Sequence, residues 1–320
     1  MAHYLVTGGA GFIGSHIVEA LVHAGHTVRV LDDLSSGNAS NLTDIAHDVE
    51  VVPGDVRDLA TVKRCMRGVE CVIHQAAIVS VTQSVADPVN THGVTAGGTF
   101  NVLVAARDAG VRRVVCASTS AVYGDNPNVP LGETELPRPL SPYAAAKLTG
   151  ENYGAAFARV YGLSTVFLRY FNVYGPRQSP HGDYAGVIAK FISLMSAGRI
   201  PVIFGDGCQT RDFVYVADVV RANLLAASEA GIPAGAVINI ATGRSVSLIE
   251  LVSTLNAVLG TAFAPRFASP RLGDILHSGA DVTSAAATLR FSAQTDLQHG
   301  LTGLAAWMRQ APVNAEQMSR

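Results

Sequence analysis

The segment Ser141-Pro142-Tyr143-Ala144-Ala145-Ala146-Lys147 sets a phenol and an amine four residues apart. Pro142 suits a helix start and the alanines favour helix. Tyr143 and Lys147 therefore share one helical face. A free phenol has a pKa of about 10, too high for a base at neutral pH. A nearby ammonium stabilises the phenolate and lowers that value, which would make Tyr143 a general acid/base. Upstream, Ala117-Ser118-Thr119-Ser120-Ala121-Val122-Tyr123-Gly124 closes an apolar run with three hydroxyls. A hydroxyl at the carboxyl end of a buried strand can hydrogen-bond a reacting oxygen. Thr119 is our choice for that role; Ser118 and Ser120 fit a turn or cap equally well.

A second chemical signature opens the chain. Thr7-Gly8-Gly9-Ala10-Gly11-Phe12-Ile13-Gly14 follows the first strand-like run and leads into a helix-like one. Side chains at the first glycines would block a pyrophosphate from the helix N-terminus, where free N–H groups and the dipole favour anions. In this strand–loop–helix context the G-x-x-G-x-x-G spacing points to a dinucleotide. Leu31-Asp32-Asp33 ends the second strand. A carboxylate there can accept from both adenosine ribose hydroxyls and would repel a 2′-phosphate, so NAD rather than NADP is expected. Asp55, in Gly54-Asp55-Val56, could reach an adenine amino group, although alone that tripeptide reads as a turn. His74-Gln75-Ala76-Ala77 ends the fourth strand with small residues, as close cofactor approach requires; His74 itself reads as structural.

These residues need a scaffold, and the first half of the chain provides one. Residues 4–6, 27–31, 50–52, 71–74, 114–117 and 165–169 are β-branched and apolar with little alternation, as in strands buried on both faces. Helix-like stretches such as 14–24 and 99–109 lie between them. Alternating β and α elements predict an α/β fold, a Rossmann-type doubly wound parallel sheet. After about Asn172 loops lengthen, and Gly and Pro cluster at 175–176, 205–207 and 265–273. A smaller interleaved C-terminal substrate-binding region is expected there. Residues 237–240 read as a late strand, and 247–259 as a helix with a Ser247/Glu250 capping box. The cofactor domain is expected at 1–171 plus about 212–241, and the substrate region at about 172–211 and 242–320. Residues 312–320 read as a loose tail.

Bulk properties exclude several classes. The 320 residues carry a formal net charge of −2, which makes no case for nucleic-acid or membrane-surface binding. No apolar run is long enough to span a bilayer. No secretory signal is expected, since the chain runs from Met1 straight into a strand. Cys65, Cys71, Cys116 and Cys208 lack metal-ligand spacing and read as reduced thiols of a cytoplasmic protein; no metal site is expected.

With these residues in place, the chain resembles the extended short-chain dehydrogenase/reductase family, and within it the UDP-hexose 4-epimerases. The resemblance runs over nearly the whole chain. It rests on Gly8/Gly11/Gly14, Asp32, Asp55, Ser118–Gly124 and Tyr143/Lys147. Its more specific motifs are Leu168-Arg169-Tyr170-Phe171-Asn172-Val173-Tyr174-Gly175-Pro176-Arg177-Gln178, Arg211-Asp212-Phe213-Val214-Tyr215-Val216 and Arg271-Leu272-Gly273-Asp274. It implies catalysis by Tyr143, Lys147 and Thr119. It implies NAD contacts at Gly8, Gly11, Phe12, Ile13, Gly14, Asp32, Asp33, Ser36, Gly37, Asp55, Val56, Gln75, Ala76, Ala77, Ser118, Tyr143, Lys147 and Tyr170. Substrate contacts are implied at Thr119, Ser120, Asn172, Val187, Val202, Phe204, Arg211, Arg271, Asp274 and Ser278. In such enzymes the residues matching Asn172, Arg211 and Arg271 bind the UDP diphosphate, and the Asp matching Asp274 holds its ribose. Arginine forks and amide donors suit that anion. A homodimer through the helices near 99–109 and 142–160 is also implied.

Related chemistries are disfavoured residue by residue. The 4,6-dehydratases carry Asp-Glu where Thr119-Ser120 stand, and UDP-glucuronate decarboxylases carry Glu where Ala121 stands. No Cys–Lys pair of the deoxysugar 3,5-epimerase kind is visible. The chain departs from the family at Thr119, where many members have Ser, at Val79, where some have a cofactor-binding Lys, and at Thr95, where an Asn is usual. The expected activity is 4-epimerisation of a UDP-sugar, UDP-glucose/UDP-galactose by default. Ser278, where a large Tyr restricts some relatives to plain hexoses, leaves UDP-N-acetylglucosamine open. Ser179, where uronate epimerases often have Arg, weakens UDP-glucuronate. Two alternatives are a NAD-sensing regulator, which would typically lack the Tyr–Lys pair, and a reductase or synthase releasing NADH.

Overall fold

The computed structural model describes residues 1–179, 186–270 and 275–310. The chain enters as β1 (His3–Thr7), α1 (Phe12–His23) and β2 (Thr27–Asp32). β3 (Val49–Pro53), α2 (Leu59–Cys65), β4 (Cys71–His74), and the short helices α3 (Val81–Ala86) and α4 (Pro88–Thr91) follow. A π-helical turn at His92–Gly97 runs into α5 (Gly98–Ala109). Next come β5 (Arg113–Thr119), a tight helical turn at Ser120–Tyr123, α6 (Pro142–Tyr161) and β6 (Ser164–Tyr170). β7 (Asn172–Tyr174), α7 (Val187–Ser196), β8 (Val202–Phe204), β9 (Thr210–Tyr215), α8 (Val216–Ser228) and β10 (Ala236–Ile240) succeed them. β11 (Ser245–Ser247), α9 (Leu248–Leu259), β12 (Arg266–Ala268), β13 (His277–Ser278), α10 (Thr283–Leu289) and α11 (Leu297–Gln310) complete the described chain.

Seven parallel strands form the main sheet in the order β10-β6-β5-β4-β1-β2-β3, the doubly wound architecture expected. Side-chain alternation explains why the strands are apolar throughout. Tyr4 and Val6 pack with Ile17 and Val219 on the face covered by α1 and α8. Leu5, between them, packs with Val62, Val102 and Phe157 under α2, α5 and α6. The main sheet draws on β1–β6 and β10. β9 pairs instead with β7, β11 and β13 in a four-stranded sheet. A separate core of Tyr174, Phe191, Phe213, Leu251, Leu255 and Leu301 joins that sheet to α7, α9 and α11.

Local signals place the helix ends well. α1 starts two residues earlier than expected, because Gly11 is its cap. Ser141 caps α6, its hydroxyl accepting from the Ala144 N–H at 3.2 Å, and Pro142 occupies the first turn. In α9 both halves of the Ser247/Glu250 capping box are made. The two- and three-residue strands β7, β8 and β11–β13 were not expected; they are too short for periodicity to register. Among the described residues no helix is long and apolar enough to cross a membrane, and no cluster of three or more His, Cys, Asp or Glu could hold a metal ion.

Candidate active site

Strand order reverses between β1 and β4, which opens a crevice at their carboxyl ends. The glycine loop lies there. Gly8 has φ 67°, and a Cβ on it would sit 2.7 Å from the Ala76 amide nitrogen. A Cβ on Gly14 would overlap the Gly8 carbonyl. α1 has no side-chain cap and no acidic residue in its first turn, so its first N–H groups stay open to an anion. Phe12 and Ile13, at its start, are partly exposed.

Asp32 is buried at the end of β2, where its carboxylate accepts from the Ala10 and Leu34 N–H groups, both at 2.9 Å. Burial raises its pKa above the usual carboxylate range, against the pull of those two bonds. Gly37 approaches so closely that a Cβ would lie 2.8 Å from Asp32 Oδ1. Asp33 and Ser36 are exposed, and Asp33 accepts from the Ser35 amide and hydroxyl. These residues fit a dinucleotide: the loop admits backbone only, the helix end is open, and a held carboxylate awaits hydroxyl donors.

Two expected cofactor contacts are otherwise engaged. Asp55 is ion-paired with Arg57, which holds its carboxyl below the usual range. Val56 beside it is buried. The Ser118 hydroxyl donates to Glu151 Oε1 at 2.5 Å, so it does not stand with Thr119. Gln75 Nε2 donates to the Tyr170 hydroxyl at 3.1 Å, and Tyr170 donates to Asn223 Oδ1 at 3.0 Å. Burial pushes the Tyr170 phenol well up, so it stays neutral. Ala76 and Ala77 are partly exposed beside this group.

His74 is structural. Thr99 donates to the Thr95 carbonyl at 2.6 Å, so its oxygen accepts from His74 Nε2 at 3.0 Å. His74 Nδ1 then accepts from the Thr7 hydroxyl at 2.6 Å. Burial drives its pKa down to about 3. The unusual Thr95 also accepts from the Ile78 N–H at 3.1 Å.

The reacting pair stands at the carboxyl edge of β5. Lys147 is buried and donates to the Ala117 carbonyl at 2.7 Å. Burial lowers its pKa to about 8, with Cys116 and Glu151 opposing. The Thr119 hydroxyl lies beside the Tyr143 phenol. Burial raises the phenol's pKa and the neighbouring Thr119 hydroxyl partly offsets that rise. The lowering by Lys147 expected from helical spacing does not dominate, because Lys147 is aimed at Ala117. Thr119 also accepts from the Ala121 N–H at 3.2 Å, capping the turn that begins at Ser120.

Behind this edge lies a polar network that sequence reasoning missed. Glu151 accepts from Arg169 Nε at 2.9 Å and Nη2 at 2.7 Å. A charged Arg169 inside the apolar run of β6 was the available signal.

The small sheet carries two of the three residues expected to hold a diphosphate, Asn172 and Arg211. Asn172 lies on β7, which pairs with β9, and its amide donates to the Asp212 carbonyl at 3.2 Å. Arg211, on β9, is the register partner of Ser278 on β13. Arg211 Nη1 donates to the carbonyls of Thr210 and Leu276 at 2.9 and 3.3 Å. Asp212 is turned away, its carboxylate accepting from Thr242 and Gly243. Val202 and Phe204 end β8, which pairs with β12, and Val187 begins α7. Arg271 and Asp274 lie outside the described residues.

The model of the NAD dependent epimerase/dehydratase family matches residues 4–241. A UDP-glucose 4-epimerase of Mycolicibacterium smegmatis is 43% identical over 306 residues, spanning 93% of this chain and 95% of that one. The UDP-glucose 4-epimerase of Thermotoga maritima, solved with UDP-glucose, is 40% identical, with a TM-score of 0.91 over 96% of this chain and 99% of that one. The UDP-N-acetylglucosamine 4-epimerase of Methanobrevibacter ruminantium M1, solved with UDP-N-acetylmuramic acid, is 39% identical, with a TM-score of 0.92 over 97% and 98%.

Proposed function

The chain belongs to the NAD-dependent epimerase/dehydratase family, and from that premise we propose that it interconverts gluco and galacto UDP-hexoses at C4, UDP-glucose and UDP-galactose by default. The carrying observation is the Thr119 hydroxyl on Tyr143, beside Lys147, at the edge of the sheet that forms the NAD cradle. NAD, when bound, would supply the hydride acceptor and later the donor. Gly8, Gly11 and Gly14 admit its pyrophosphate and Asp32 receives its ribose hydroxyls.

Tyr143 takes the proton from the sugar O4 and later returns it. Thr119, beside the phenol, hydrogen-bonds that oxygen. Lys147 keeps positive charge behind them. Positions 119–121 offer hydroxyls and a methyl but no carboxyl, so nothing there drives water loss or decarboxylation. The 4-keto sugar turns over while Asn172 and Arg211, with Arg271 and Asp274, retain its UDP. Residues 1–171 and about 212–241 serve the cofactor; about 172–211 and 242–320 serve the sugar nucleotide.

A second substrate is favoured by one feature. Ser278 is small and buried on β13 beside Arg211, which leaves room for an N-acetyl group. The exposed Phe100, Tyr153, Val160 and Tyr161 on α5 and α6 support a homodimer through those helices. Free cysteines, three of them buried, suit the cytoplasm.

The test is incubation of the purified protein with UDP-glucose, UDP-N-acetylglucosamine and UDP-glucuronate, without added cofactor, followed by product separation. Formation of the C4 epimer of the first supports the reading. Net release of NADH, or no conversion of any of the three, overturns it.

A further inference from the structure

Glu151 lies one helical turn beyond Lys147 on α6, is 4% exposed, and has no part in the steps above. Its carboxylate is fully engaged. Oε1 accepts from the Ser118 hydroxyl at 2.5 Å and Arg169 Nε at 2.9 Å, and Oε2 accepts from Arg169 Nη2 at 2.7 Å. The Arg169 guanidinium stacks 4.7 Å above the Tyr123 ring, and the Tyr123 hydroxyl donates to Asn239 at 2.7 Å. Ser118, Arg169 and Asn239 are register partners across β5, β6 and β10. This polar row crosses the sheet one residue below Thr119.

A buried ion pair is a poor source of stability, since apolar residues of the same volume commonly serve as well. Its placement suggests another use. Ala117 receives Lys147, Ser118 donates to Glu151, and Thr119 stands beside Tyr143. Three successive residues of β5 thus meet three successive turns of one α6 face.

We propose, on the basis of the epimerase reading above, that Glu151 is a positioning residue for the Tyr143–Lys147 pair: through Ser118 it locks the end of β5 against α6, and its carboxylate supplies the negative charge that holds Lys147 as an ammonium. The surrounding groups leave that task to Glu151. Cys116, on β5, is pushed up to about 12 and is a neutral thiol. His74, on β4, is neutral at about 3. Tyr143, raised by burial, is neutral before substrate binds. Arg169, on β6, is positive and already paired, and His92 on the adjoining turn is exposed. Glu151 is therefore the one formal negative charge acting on Lys147 among the described residues.

The experiment compares Glu151→Gln, which removes the charge, with Ser118→Ala, which cuts only the link to β5. Lys147 is titrated in each purified protein by competitive acetylation across pH with mass-spectrometric readout, which needs no turnover. The Lys147 midpoint is expected to fall by about one pH unit in Glu151→Gln and to stay unchanged in Ser118→Ala. Both variants are expected to lose about tenfold in kcat for the UDP-hexose with KM within about twofold. Should Glu151→Gln not fold, Glu151→Asp takes its place, with an unchanged midpoint and a lowered kcat expected. An unmoved midpoint in folded Glu151→Gln, a lowered midpoint in Glu151→Asp, or wild-type kcat in Ser118→Ala overturns the proposal. A wild-type protein without epimerase activity overturns the proposed function instead, and the Lys147 titration then decides the role of Glu151 by itself.

Discussion

The Thr119 hydroxyl, at the end of β5, stands beside the Tyr143 phenol on α6. That neighbour offsets part of the burial that makes Tyr143 a reluctant base, and under the proposed function one sugar hydroxyl meets both oxygens. Tyr143→Phe deletes the proton carrier and should lower kcat by about 10³. Thr119→Ser keeps the hydroxyl and should stay within about threefold, whereas Thr119→Val should lose about tenfold to a hundredfold. Product separation from UDP-glucose reads all three, and near-wild-type turnover by Tyr143→Phe would refute the assignment.

The cradle makes a separate prediction. A methyl at Gly14 must displace the Gly8 carbonyl. Gly14→Ala should lower stability by about 1–3 kcal/mol and leave the purified protein without bound NAD. Denaturant titration and the cofactor content after gel filtration measure the two effects. A variant that retains stoichiometric NAD would show that the loop does not receive the pyrophosphate.

His74 ties stability to pH. Its folded pKa is about 3 against 6.5 for the free side chain. Below about 6.5 the unfolded chain takes up a proton that the folded one refuses, so this stability is lost as pH falls from about 6.5 toward 3. Between pH 7 and pH 5 the loss from this one group is about 2 kcal/mol. His74→Asn should lose less stability over the same interval by about that amount. Urea midpoints at the two pH values decide it, and an equal pH dependence in both proteins rejects the neutral, buried histidine.

Ser278 concerns specificity. Ser278→Tyr puts a bulky ring at the register partner of Arg211 and should reduce kcat/KM for UDP-N-acetylglucosamine at least about tenfold relative to UDP-glucose. A parallel fall for both substrates would mean that Ser278 does not gate the substituent at C2.

Much of this site is local in sequence. The glycine spacing, the Asp32 strand end and the Tyr143–Lys147 face each lie within about one turn or one loop, so covalent geometry sets them. The same holds for the Ser141 cap that starts α6 and for the β–α alternation of the main sheet. Only the tertiary structure decided which partner each side chain faces. Ser118 and Thr119 are adjacent hydroxyl residues, yet one donates to Glu151 and the other stands beside Tyr143. Strand alternation separates them, but the β5–β6 register and the packing of α6 decide which goes where. His74 is neutral because the fold buries it, with Thr7 and Thr99 from distant segments hydrogen-bonded to its ring. Asn172, Arg211 and Ser278 join one small sheet through strands of two to six residues. Such strands hold by pairing with one another, and pairing between remote segments leaves no periodic trace in either.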